Sequence, residues 1–197
     1  MAQWPGIVLS RAFYHRDPTE VAPELLNKLL CCADGRAGRI VEVEAYGGVD
    51  DPAAHTFRGR TARNATMFGP PGYMYVYFTY GLHWCANAVC SDENVGAGVL
   101  IRALEPVGGL ARMREARPKA ARDRALCNGP ARLTQAMGIT GIHDGVDLAA
   151  GAGAYTITDD GMPPPGAPMV GPRVGISRAT ELPWRWCVPG SPHLSRK

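Results

Sequence analysis

Apolar residues first recur at helical spacing between about 19 and 31, where Val21, Leu25, Leu26, Leu29 and Leu30 fall on one stripe. This predicts a core helix capped by Thr19, with Pro23 tolerated in its first turn. From Arg39 the period changes to two. Over 40–46, alternation sets Val41, Val43 and Ala45 on one side and Ile40, Glu42, Glu44 and Tyr46 on the other. Residues 47–72 lose periodicity and form a long loop of Gly, Pro, Asp, Arg and Asn, a length that usually signals function or disorder. Two alternating runs, 73–80 and 82–89, then meet at Gly81 as a β-hairpin, and 97–104 adds a third strand to an antiparallel meander. Helices are expected after Pro106, through Leu110 and Met113, and after Asn128-Gly129-Pro130, with Leu133, Ala136 and Met137 inward and Gly138 as the stop. Short strands near 154–158, 172–177 and 184–188 close the chain. The pattern implies an α+β fold, a single mixed domain over residues 1–197.

Composition removes several alternatives. With 197 residues, 46% apolar, 20% charged, 24 Gly and 17 Pro, the chain is neither a disordered segment, a fibre nor a coiled coil. No stretch reaches the ~20 apolar residues that span a bilayer, and the N-terminus does not read as a signal peptide. A soluble, cytoplasmic protein without membrane association is the expectation. The six cysteines, at 31, 32, 85, 90, 127 and 187, show neither CxxC nor zinc-type spacing, so free buried thiols and no metal are expected. Net charge is +3, but its distribution is uneven. Residues 112–132 hold seven cations against Glu115 and Asp123, whereas 141–162 hold four aspartates and no Lys or Arg. One face of the molecule is therefore expected to be basic.

Several residues stand out chemically. Glu42 and Glu44, two apart on a strand, lie ~6–7 Å from each other, with Tyr46 one step further. A carboxylate that activates water beside a ring that stacks on a planar substrate suits hydrolysis, though spacing alone equally allows solvent-facing or arginine-paired glutamates. Tyr73, Tyr75 and Tyr77 alternate on one hairpin face, and Tyr80 stands beside Gly81 at the tip, where an aromatic side chain can act as a wedge between base steps. Asn87 and Arg102 interrupt apolar strands, so each needs a partner or a task. Arg58, Arg60 and Arg63 share a loop with no acid between them. The combination suggests an enzyme acting on a base taken out of the DNA stack. An O-glycoside hydrolase using Glu42 and Glu44, or a non-catalytic nucleic-acid module stacking bases on tyrosines, fits parts of the same pattern.

The runs IVEVEAYGGVDDPAAH (40–55), RTARNATMFGPPGYMYVYFTYGLHWCANAV (60–89), VLIRALEP (99–106), LCNGPARLTQAMGI (126–139), RVGIS and the terminal GSPHLS resemble, in order and spacing, the alkyladenine (3-methyladenine or methylpurine) DNA glycosylase family. The resemblance covers nearly the whole chain. It implies a curved antiparallel sheet with a hairpin entering the minor groove of double-stranded DNA. The implied reaction is hydrolysis of the N-glycosidic bond of a flipped, alkylated or deaminated purine by an activated water. That leaves an abasic site, as a monofunctional glycosylase does. It further implies Glu44 as general base, with Arg102 and the backbone carbonyl of Val174 helping to hold the water. Tyr46 would lie on one side of the flipped base, with His55 and Tyr77 on the other. Asn87 would sit at the pocket floor against the 2-amino group of guanine, and Tyr80 would intercalate. DNA-backbone contacts are expected at Arg58, Arg60, Arg63 and Gly175 and, in the basic segment, Arg112 and Arg122. No cofactor is implied, and the compact chain is like bacterial members, with a monomer as the default. The sequence departs from animal members at Leu82 and His83, where those carry Met-Tyr, and at Pro189 in place of an arginine, which puts a phosphate contact there in doubt.

Overall fold

The computed structural model describes residues 6–79 and 81–196; Tyr80, on which the wedge expectation falls, lies outside the described residues. Ten strands form the architecture: β1 (Ile7–Val8), β2 (Leu29–Cys32), β3 (Ala37–Tyr46), β4 (Tyr73–Thr79), β5 (His83–Cys90), β6 (Ala97–Gly108), β7 (Val146–Asp147), β8 (Tyr155–Asp159), β9 (Met169–Gly171) and β10 (Arg185–Cys187). They build one curled, wholly antiparallel sheet in the order β1-β8-β2-β3-β6-β5-β4-β7. The long strand β3 forks the sheet at its other edge, where Leu29–Cys31 of β2 pair with its first residues and β10 takes over at Glu42–Glu44. The helices are α1 (Arg11–Tyr14), α2 (Pro18–Leu25), α3 (Leu110–Ala116) and α4 (Pro130–Met137). The fold is α+β, as expected.

The sheet separates two environments. Val43 and Ala45 of β3, Val99 and Ile101 of β6, Met74 and Val76 of β4 and Ala86 and Ala88 of β5 point into the main core, against α2 and α4. The alternate residues Glu42, Glu44, Tyr46, Tyr77, Asn87 and Arg102 point the other way. Period-two alternation thus places every polar strand residue singled out above on one face. At Gly138, φ is +76°, and this left-handed turn ends α4 where its apolar stripe ends.

Four readings of the sequence need correction. The first helix is α2 alone: it starts at Pro18 with Asp17 accepting the Thr19 N–H at 2.8 Å, so Pro23 falls in its second turn, and Leu29 and Leu30 belong to β2. Asn27, at φ 67°, breaks the chain direction between them. Ile40 joins Val43 and Ala45 in the core instead of facing with the glutamates, because an irregularity around Val41 shifts the β3–β6 register. A second shift, with Arg102 as the extra residue of β6, puts Leu104 in the core with Val99 and Ile101, although strict alternation from those two would put it on the opposite face. The helix expected just after Pro106 begins only at Leu110, since β6 continues to Gly108. Finally, 172–177 is not a strand; the pairing segment is β9, and Gly175, at φ +80°, turns the backbone out of extension.

Candidate active site

On the polar face lies a cavity of about 680 Å³, within the range of small-molecule sites. Its walls come from strands and loops distant in sequence: Tyr46 from β3, Tyr75 and Tyr77 from β4, Cys85 and Asn87 from β5, Arg102 from β6, His55 and Arg58 from the long loop, and 174–178 from the turn before β10. The amino end of α4, Pro130 and Ala131, closes one side. A recess of about 260 Å³ continues from Arg102 and Val174 toward Asn128, Arg132 and Ser195.

Both glutamates are fully buried, yet they do different work. Glu42 Oε1 accepts from Arg102 Nε (3.0 Å), Arg185 Nη1 (3.2 Å) and the Ser195 hydroxyl (2.7 Å), while Oε2 takes the Ser195 N–H at 2.6 Å. Three of those bonds converge on Oε1 and one on Oε2, so two arginines and both donors of Ser195 fix the carboxylate. Glu42 therefore anchors the C-terminal segment and Arg102, and of its three partner residues only Arg102 lines the cavity, which disfavours the paired-glutamate glycoside hydrolase. Glu44 accepts three bonds. Its Oε2 receives the Tyr46 hydroxyl (2.9 Å) and Arg102 Nη1 (3.1 Å), and Oε1 receives the Val174 N–H (2.6 Å). One acceptor position is left on Oε1. All three donors belong to residues that line the cavity, so the carboxylate stands directly behind its wall.

The electrostatics follow from this burial. Loss of water pushes the Glu44 carboxyl above the usual carboxylate range; Arg102, the Val174 amide and the Tyr46 hydroxyl pull against that rise without cancelling it, and Glu42 adds to it. The Tyr46 phenol is pushed up by burial and by Glu44, so it remains a donor. His55 is exposed at the mouth, its ring edge-on to Tyr77 with centroids 4.4 Å apart. Desolvation, then Arg63, lowers its imidazole below the usual histidine range. A neutral ring there would not repel a cationic base.

The structure brings Glu44, Tyr46, His55, Tyr77, Asn87, Arg102, Val174 and Gly175 to this one place. Asn87 donates to the Tyr75 carbonyl at 3.3 Å, so its amide orientation is set by β4. At Val174 the N–H also serves the site, donating to Glu44 at 2.6 Å, beside the carbonyl that the resemblance assigns to the water. Around the mouth, buried Asn64 ties the loop by donating to the carbonyls of His55 (3.0 Å) and Gly59 (3.1 Å), leaving Arg58, Arg60 and Arg63 exposed. Leu82 and His83 are also exposed, and His83 lines the cavity. Arg112 is elsewhere: it pairs with Asp34 at 3.6 Å, in the turn before β3 and roughly 20 Å along that strand from Glu44. Arg122 is exposed and does not line the cavity.

Sequence reading missed Ser195, Arg185, Asp51 and Arg173. All but Arg185 lie in a quoted block, but their partners are up to 153 residues away in sequence, so no local pattern marks them. All six cysteines are free and buried, as expected. Among the described residues no group of His, Cys, Asp or Glu is placed to hold a metal, and no helix is long and apolar enough to cross a membrane.

An aromatic slot backed by a buried carboxylate, with Arg58 and Arg178 on its wall, suits a base-processing enzyme of the glycosylase class. Comparison with known proteins agrees. The family model for methylpurine-DNA glycosylase matches residues 12–192. A protein of Burkholderia lata, provisionally named 3-methyladenine DNA glycosylase, is 65% identical over 193 residues, covering 98% of this chain and 93% of its own. Relatives with the same provisional name from Rhodopseudomonas palustris (49% identical over 97% of this chain and 92% of theirs) and Koribacter versatilis (47% over 96% and 93%) extend the similarity. The chain belongs to the methylpurine-DNA glycosylase family.

Proposed function

We propose that this protein excises damaged purines, 3-methyladenine among them, from duplex DNA by flipping the nucleotide into the cavity and hydrolysing its N-glycosidic bond. The observation that carries this reading is that Glu44, with an acceptor position left on Oε1, is held entirely by residues of the cavity wall, in a cavity that Tyr46, His55 and Tyr77 also line. A water on that position would be deprotonated by Glu44 as it attacks the sugar carbon, with Arg102 fixing the carboxylate. Departure of the base builds positive charge on the sugar, and the same carboxylate stabilises it. Alkylated purines already carry positive charge, which weakens the bond and favours stacking on electron-rich rings. Water as nucleophile makes the enzyme monofunctional and leaves an abasic site. Arg58 and the Gly175 backbone, which line the cavity, and the exposed Arg60 and Arg63 of the same loop suit phosphate contacts, as does Arg122; Arg112, beside Asp34, would meet only DNA that extends well beyond the flipped nucleotide.

The direction of the Glu44 shift has a kinetic consequence. Because the ionised carboxylate is the active form and its pKa is raised, the single-turnover rate of purine release should climb with pH through a midpoint above the ~4.3 of an ordinary glutamate. A rate already at its plateau at that pH would contradict the assignment.

Tyr80 is proposed to fill the gap left by the flipped nucleotide. Flipping costs a few kcal/mol, least where pairing is already weak. Tyr80→Ala should therefore slow excision more at well-paired lesions than at mismatched ones, as measured by purine release from matched duplex pairs; equal losses would count against the wedge. The overall reading is tested by chromatographic detection of purines freed from methylated DNA, and release of none would overturn it.

A further inference from the structure

Behind the slot, out of reach of any ligand, lies a buried ion pair between Arg173 and Asp51. Both are shielded from solvent and neither lines the cavity. Arg173 Nη1 meets Asp51 Oδ2, and Nη2 meets Oδ1 at 2.9 Å. Three parts of the site converge on this pair. The Arg173 guanidinium lies over the Tyr46 ring, 4.8 Å from its centroid, and over Trp184 at 5.1 Å. Its Nη1 also donates, at 3.0 Å, to the carbonyl of Ala45, the residue between Glu44 and Tyr46. The next residue along is Val174, whose amide holds Glu44. Asp51, for its part, accepts the N–H groups of Gly47 (3.1 Å) and Ala53 (3.0 Å), which folds the loop from Tyr46 to His55 back on itself.

Such a pair is a poor route to stability, since desolvation offsets much of the attraction and apolar residues of similar volume would serve as well. A planar, two-pronged contact supplies angular precision instead. Here one pair touches the support of both walls of the slot and the aim of the carboxylate.

We propose that Asp51 and Arg173 are positioning residues that set the gap between Tyr46 and His55 and orient Glu44, so that excision depends on them although neither touches the nucleotide. This rests on reading the cavity as a base slot. The test uses Asp51→Asn, which keeps one oxygen and loses the charge, and Arg173→Lys, which keeps the charge and loses the fork. Single-turnover purine release from methylated duplex is followed from acid to alkaline pH beside urea melts of each variant. A displacement of the reacting groups by about 1 Å costs up to ~10²-fold, so losses of that order are expected. In addition, the acid limb of the pH profile should move to higher pH. The Val174 amide and Tyr46 hydroxyl, which hold Glu44 down, would lose register, while Glu42 on its own strand, Arg102 on β6, Cys85 on β5 and Arg185 and Cys187 on β10 stay in place. A purely structural role would lower the urea midpoint and leave the limb unmoved.

Folded variants within about threefold of wild type, a difference of only ~0.65 kcal/mol in barrier, would overturn the proposal, as would an unmoved limb. So would failure of both variants to fold, which would make the pair a general anchor of the fold. If wild-type protein released no purine, the glycosylase reading itself would fall, whatever the variants did.

Discussion

Replacing Glu44 with glutamine should reduce purine release by ~10³-fold or more, with the protein still folded and still bound to DNA. Removing a general base costs ~10²–10⁴-fold, and loss of the anion facing the developing sugar cation adds to it. The side chain keeps its shape. Its Oε1 can still accept the Val174 amide, its Nε2 can donate to the Tyr46 oxygen once that hydroxyl turns, and Arg102, losing one acceptor, retains Glu42 as a partner, so the cavity should survive the change. Chromatography of purines freed from methylated duplex, alongside a binding titration of the same duplex, separates the two effects. More than about a tenth of wild-type activity in the variant would mean that another group activates the water or that none needs activation.

The second large effect is on stability. Arg102→Leu should cost about 3–5 kcal/mol, the usual consequence of taking one partner from a buried ionic cluster. Arg102 is nearly fully buried and donates to both glutamates and to the Ser195 hydroxyl at 3.3 Å, so its loss leaves two carboxylates facing each other and loosens the C-terminal segment. The deficit should depend on pH in a defined direction. Arg102 opposes the upward shift of Glu44, so without it the folded-state value rises further above the unfolded ~4.3. Between those two values the folded protein binds the extra proton, and stability falls as pH rises. Urea unfolding should therefore show a smaller gap from wild type near pH 5 than near pH 7.5. A gap that is constant or wider in acid would show that the cluster is not held as described.

Much of the site is legible in the sequence because alternation holds from Glu42 to Tyr46 on β3 and along β4 and β5. Tyr77, Cys85 and Asn87 share a face for the same reason that Glu44 and Tyr46 do, and the meander β4-β5-β6 makes those faces adjacent. The fully buried strand β2 escaped, since LLCC is apolar on both faces and continues the helical stripe before it. Ile40 was assigned to the wrong side because a bulge shifts parity without any mark in composition.

The sequence by itself determined the α+β class, the meander, the loose loop of arginines and the presence of two glutamates on one strand face, all consequences of period and turn chemistry acting over a few residues. It could not separate the two glutamates, which are identical in type and equivalent in pattern. Only the tertiary structure decided that Glu42 is tied to Arg102, Arg185 and Ser195 while every donor to Glu44 comes from a residue of the cavity wall. The reason is physical: how many donors reach a buried carboxylate depends on chain segments that meet it after folding, from as far as 153 residues away, and no local period encodes that meeting.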